Sequence, residues 1–162
     1  MSWQNEMVRI LRFLINDIDA DTYTDSRLEE TLLVAAQLQY SSIDFANTYI
    51  IDIDALTLSP DPTTPIRDDW FINIVCVKAA CIILGSEAKT LAAQSYKIKD
   101  GPSSIETGEA YKNVSLLYKD LCDKLAIMIL QYKAGDSVAG HAILTPYTQE
   151  RISDANPIRS FN

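Results

Sequence analysis

Two long apolar seams constrain this chain more than any other feature. Trp70, Ile74, Val77, Cys81, Leu84, Ala88 and Leu91 recur at alternating steps of four and three residues. Tyr111, Val114, Tyr118, Leu121, Leu125, Met128 and Tyr132 do the same at steps of three and four. Such spacing keeps every apolar side chain on one stripe of a helix and leaves that stripe needing cover. The pattern predicts a helix from near Asp68, a good cap, and a second from near Thr107 to about Tyr132. Each seam is the natural partner of the other, because only these two helices are long enough to match. Gly85 interrupts the first seam and is expected to bend or split it.

The N-terminal part adds two shorter helices. Trp3, Met7, Ile10, Leu11, Leu14 and Ile15 share one face over residues 3–15, with Asn5, Glu6, Arg9 and Arg12 largely outside it. The polar stretch from Asn16 to Tyr23 ends this helix. Thr24 or Asp25 can cap the next, and Ser26-x-x-Glu29 offers a capping box. That helix runs to about Tyr40, with Leu28, Leu32, Ala35 and Ala36 facing inward.

Residues 47–59 change period. Tyr49, Ile51 and Ile53 alternate with Ile50, Asp52 and Asp54, and Leu56 and Leu58 follow at period two. β-Branched and aromatic residues dominate, which predicts a β-hairpin turning near Asp54-Ala55. Pro60, Pro62 and Pro65 close the segment and forbid a helix there. After the third helix, Asp100-Gly101-Pro102 reads as a turn, with Tyr96, Ile98 and Ile105 as anchors in polar surroundings.

Beyond Gly135 no helical period survives, yet Ile143, Leu144, Pro146, Tyr147, Ile152, Ile158 and Phe161 are too apolar for a solvated tail. The segment reads as an extended arm that docks on another subunit, with a strap over its own domain as the alternative. The expected fold is thus mainly α, a four-helix bundle-like body with an inserted β-hairpin and an extended C-terminal arm. Residues 1–135 form the helical domain, with the insertion at about 44–66, and residues 136–162 form the arm.

The charge balance bears on function. Residues 1–66 hold eleven acids and three bases, whereas residues 67–162 hold eleven of each, so the whole net charge of −8 lies in the N-terminal part. A nucleic-acid binder gains affinity from basic groups at phosphates, so conventional binding of that kind is disfavoured. Asp17, Asp19 and Asp21 have the spacing of calcium ligands, but the sixth loop position is Thr22 and the twelfth is Leu28, where a calcium loop needs Gly and Glu. An acidic connection between helices is the simpler reading. Asp52, Asp54 and Asp61, with Asp68 and Asp69, form a second acidic group with nothing to fix its geometry.

His141 stands alone, beside no recognisable nucleophile, and no phosphate-binding glycine loop is present. Cys76, Cys81 and Cys122 lack disulfide or zinc spacing and read as buried reduced thiols. No secretory signal or continuous membrane-spanning run is seen. The expectation is a non-enzymatic protein without cofactor or metal, and without a membrane partner.

Several segments resemble the head–tail adaptor, or connector, family of tailed bacteriophages. They are Val8-Arg-Ile-Leu-Arg-Phe-Leu14, the acidic loop Asn16–Asp21, Tyr23-Thr-Asp-Ser-Arg-Leu-Glu-Glu30, and Tyr96-Lys-Ile-Lys-Asp-Gly-Pro-Ser-Ser-Ile-Glu-Thr107 before Ala110-Tyr111. Ser59-Pro-Asp-Pro62 and Lys78-Ala-Ala-Cys81 look most like versions from marine cyanophages. The hairpin departs from the smallest adaptors, which join their helices directly.

The resemblance implies a structural virion protein of the neck, made in the host cytoplasm. It implies a ring, commonly of twelve copies, below the portal protein, connecting head to tail and continuing the DNA channel. Partners would be the portal, neighbouring adaptor copies, a tail terminator or stopper, and passing double-stranded DNA without sequence-specific binding. On that reading the apolar arm residues dock on portal or neighbour. Tyr49, Ile51, Ile53, Leu56 and Leu58 face another subunit or the tail, and Asp17, Asp19 and Asp21 face the channel. A tail completion or stopper protein, and a cytosolic helical protein-interaction domain, are the alternatives.

Overall fold

The computed structural model describes residues 2–94, 97–100, 103–106 and 109–135. Four helices dominate: α1 (Trp3–Ile15), α2 (Asp25–Tyr40), α3 (Asp69–Gln94) and α4 (Glu109–Gly135). Two small antiparallel hairpins interrupt them, β1 (Ile50–Asp52) with β2 (Thr57–Ser59), and β3 (Lys97–Asp100) with β4 (Ser103–Glu106). The fold is mainly α with an inserted β-hairpin, as the periodicities predict. Residues 136–162, the expected arm, lie outside the described residues, as does His141.

The core is built on α3, which α1 and α2 flank. Phe71, Ile72, Ile74, Val75, Cys76, Ala79, Ala80, Cys81, Ile83 and Leu84 are all buried, so this helix is covered on nearly every side. From α1 come Trp3, Met7, Val8 and Leu11, and from α2 Leu28, Leu32, Leu33, Ala35 and Ala36. Each large apolar side chain withdrawn from water contributes about 1.5–3 kcal/mol before ordering costs are set against it. By length and composition α3 could cross a membrane, with a mean hydropathy of 1.7 over its most apolar stretch. Two-thirds of that stretch is buried within this fold, so its apolar surface serves the core.

Two expectations are corrected here. The main partners of α3 are α1 and α2, not α4. The heptad-like spacing selected one stripe, but Phe71, Val75 and Ala79 lie off that stripe and are fully buried, whereas Trp70 at its start is 43% exposed. Gly85 does not split α3, which runs unbroken from Asp69 to Gln94. A Cβ at Gly85 would stand 3.0 Å from Cε2 of Tyr118, so the missing side chain makes room for a ring from α4.

The hairpin pairs Ile50 with Ser59, Ile51 with Leu58 and Asp52 with Thr57. Residues 53–56 form the turn. Asp52 Oδ1 accepts from the Ala55 amide at 2.9 Å, and Leu56 adopts φ 51°. The Ser59–Pro60 and Thr64–Pro65 peptide bonds are cis. In the second hairpin Ile98 pairs with Ile105 and Asp100 with Ser103, leaving a two-residue connection. The sequence reading placed only a turn there.

Aspartates seal the joints. Asp68 Oδ1 accepts from the Phe71 amide at 3.0 Å, the expected cap of α3, while Oδ2 accepts from Tyr49 at 2.8 Å and Asn47 at 2.9 Å. Asp61 Oδ2 accepts from the Trp3 amide at 3.0 Å, closing the free end of α1. Its Oδ1 takes the Thr63 amide at 2.8 Å and the Thr63 hydroxyl at 2.6 Å. The proline-rich segment is thereby tied to both helix starts. Thr24, expected as a cap of α2, makes no side-chain capping bond.

Candidate interaction surface

The acidic loop after α1 is organised around a buried cation. Asn16 ends α1 in the left-handed conformation (φ 59°, ψ 36°), and the Asp17 amide donates back to Arg12 O at 3.0 Å, the bonding of a Schellman turn. That reversal brings Asp17 over Arg12. Arg12 Nη1 lies 2.5 Å from Asp17 Oδ2, and Nη2 reaches Asp25 Oδ1 at 2.6 Å and Tyr23 O at 2.9 Å. Asp17 also accepts from the amides of Thr22 at 3.0 Å and Tyr23 at 3.2 Å. These bonds, led by the Thr22 amide and aided by Arg12, outweigh burial and hold its carboxyl below the usual range. The Tyr23 hydroxyl in turn donates to Glu87 on α3.

This arrangement corrects two expectations. Arg12 is expected largely outside the packed face, yet it is 8% exposed, because four oxygens meet its planar fork. Asp17 was assigned to a channel-facing acidic set, yet it is 7% exposed and engaged on both oxygens. Asp19 and Asp21 are exposed. The carboxylates of the loop are therefore divided between a structural joint and a solvated rim.

The hairpin residues assigned to subunit contacts face their own core. Tyr49 and Leu58 are buried, and Ile51, Ile53 and Leu56 are half-buried. Tyr49 stacks on Phe71 with ring centroids 4.0 Å apart, and Phe45 meets the same ring edge-on at 5.1 Å. The outward member of the hairpin is Ile50, one residue out of phase with the predicted set. The arm residues Ile143, Leu144, Pro146, Tyr147, Ile152, Ile158 and Phe161 lie outside the described residues.

Apolar surface left open is concentrated on α4. Leu121 and Leu125 are its buried members, whereas Leu116, Leu117 and Ile127 are exposed together with Tyr111 and Tyr118. Counted at 100° per residue, Leu116 and Ile127 fall on the side opposite Leu125, flanking Asp120 and Asp123. Lys124 pairs with Asp120 at 2.7 Å across this side. The apolar seam read from the sequence runs through Leu121 and Leu125 and does not include this side. The visible signal was that Leu116, Ile127 and Leu130 make a second stripe on the same helix.

Between α3 and α4 lies an open groove of about 540 Å³, lined by Lys78, Cys81, Gly85, Tyr118, Cys122 and Leu125 among others. Burial, then the neighbouring Cys122 thiol, pushes the Cys81 thiol up to about 12. The Cys122 thiol raises Tyr118 as well. Among the described residues no group of three His, Cys, Asp or Glu side chains is placed to hold a metal ion. Asp61 and Asp68 of the second acidic group are occupied as caps.

These features define a mainly α fold with two small hairpins and, among the described residues, an uncovered face on α4. Comparison with models of known families, with curated proteins and with solved structures found no match for the chain.

Proposed function

We propose that the chain is a helical protein-interaction domain that acts by assembly. The observation that carries this reading is the outward face of α4, where Leu116, Ile127 and Leu130 stand exposed. Exposed apolar side chains grouped on one element mark an association surface. The perturbed groups are engaged in the fold: Asp17 in the Arg12 joint, Asp61 at the start of α1 and Cys76 in the core.

The head–tail adaptor is the specific form of this reading, supported by the resemblance in residues 8–30 and 96–111. In that form neighbouring copies of the chain cover α4 once they gather on the portal, and tail or stopper protein docks below. The paired Asp120 and Lys124 among the apolar residues give the face both signs of charge, which suits contact with a like surface. Within the acidic loop, Asp19 and Asp21 remain the exposed carboxylates for a channel wall.

Mass photometry of the chain alone and mixed with isolated portal rings tests both levels. The adaptor form predicts a ring-sized gain in portal mass, abolished by Leu116→Asp with Ile127→Asp while the helical circular dichroism is kept. Association of the chain with other partners but not with portal leaves the interaction-domain reading and removes the adaptor. No α4-dependent association with itself, with portal or with tail proteins overturns both.

A further inference from the structure

Cys81 on α3 and Cys122 on α4 line the same groove, on helices that face one another. Gly85 and Tyr118 meet one helical turn away, Gly85 four residues after Cys81 and Tyr118 four residues before Cys122, so the two cysteines sit at the same level of the joint. Cys81 is buried, whereas Cys122 is half-exposed. We propose that Cys81 and Cys122 form a redox-sensitive pair, which hydroperoxides close to a disulfide that fastens α4 to α3.

The geometry suits this chemistry in three respects. The pair joins two separate helices across one groove, so bonding requires their approach to the sulfur–sulfur distance of about 2.05 Å. Only two residues of α4, Leu121 and Leu125, are buried among its described side chains, so the helix can shift enough to allow that approach. The open groove admits a small oxidant to the more exposed sulfur, Cys122. Cys76 provides an internal contrast. It is fully buried on α3, its thiol directed at Met7 O at 3.8 Å, and it does not line the groove.

The reaction balances with hydrogen peroxide as the oxidant. Oxygen passes to the Cys122 sulfur as the O–O bond breaks, giving a sulfenic acid and one water. The Cys81 sulfur then attacks the sulfenic sulfur, so the S–S bond forms and the S–O bond breaks. The departing hydroxide leaves as a second water with the Cys81 proton. Each sulfur is oxidised by one electron and the peroxide is reduced by two. A dithiol reductant reopens the bond by exchange.

Treating the folded full-length chain with hydrogen peroxide, alkylating it and mapping it by mass spectrometry tests the pair. The expected product is monomeric, lighter by two hydrogens, and contains a Cys81–Cys122 linked peptide that dithiothreitol removes. Cys76→Ala keeps that peptide, and Cys122→Ser lacks it. Oxidised wild type should also melt higher than reduced wild type, with no such difference in Cys122→Ser. Over-oxidation of Cys122 with Cys81 still reduced overturns the proposal. So do linkage through Cys76, linkage between chains, and absence of the linked peptide where free cysteine is fully oxidised.

Discussion

Gly85 on α3 lies directly beneath the ring of Tyr118 on α4, and a Cβ at that glycine would meet Cε2 at 3.0 Å. Replacing a mid-helix glycine by alanine favours the helix by about 1 kcal/mol. Here the new methyl must displace the edge of a ring that is 38% exposed. Gly85→Ala is therefore expected to leave the urea midpoint almost unchanged. Gly85→Leu should lift α4 from α3, seen as faster amide exchange across residues 111–129 with α1 to α3 still protected.

The Arg12 joint predicts a sharper response. Its guanidinium serves the carboxylates of Asp17 and Asp25 and two backbone oxygens at once. Arg12→Ala leaves the buried Asp17 carboxylate without its cation and should cost about 3 kcal/mol in denaturant unfolding. Arg12→Lys should recover only part of this, because an ammonium cannot span the four acceptors. Full recovery by lysine would show that charge alone suffices.

Acid should weaken the fold through Asp17 and Asp61. Both carboxyls are held below their ordinary value. In Asp17 the Thr22 amide leads. In Asp61 the Thr63 hydroxyl, Thr63 amide and Trp3 amide together overcome burial. A depressed folded-state value contributes stability above the unfolded value and loses it as pH falls through the folded one. The urea midpoint should thus begin to fall below about pH 4 from these two groups. Glu29 acts in the opposite sense, since burial and then Asp25 raise its carboxyl. Asp61→Asn should flatten the acid limb, and an unchanged limb in that variant would remove Asp61 from the account.

Gln39 offers a stabilising change. It is buried on α2, and its Oε1 has no hydrogen-bond partner among the described residues. An unsatisfied buried acceptor costs about 1–3 kcal/mol. Gln39→Met keeps the length of the side chain and removes that acceptor, so unfolding should shift to higher urea by roughly 1 kcal/mol. A loss of stability would show that the amide has a use in the packed state.

The helical body was legible because burial on one side imposes a period. The reading of α1 over residues 3–15 and of α2 to Tyr40 matches the structure, as does Asp68 as a cap. What escaped is what periodicity does not encode. Arg12 is charged, so its position was read as solvent-facing, whereas partners brought round by a left-handed Asn16 bury it. Tyr49 and Leu58 were correctly identified as the apolar face of a hairpin. Alternation alone does not say whether such a face meets its own core or another chain, and here Phe71 meets it. The seam of α3 named one stripe of a helix that is covered nearly all round, so the choice of neighbour was underdetermined. The candidate face on α4 was missed because its two charged residues masked the apolar ones between them.

The length of α4 turns its shallow seating into a matter of aim. Its buried residues Leu121 and Leu125 stand near the middle of a 27-residue helix. At 1.5 Å per residue, Glu109 lies about 18 Å from Leu121. A tilt of about 10° around the leucines swings that end through roughly 3 Å, the breadth of a methyl group's reach. Two side chains thus act as a pivot, and the direction in which the helix points is set far more loosely than the helix itself.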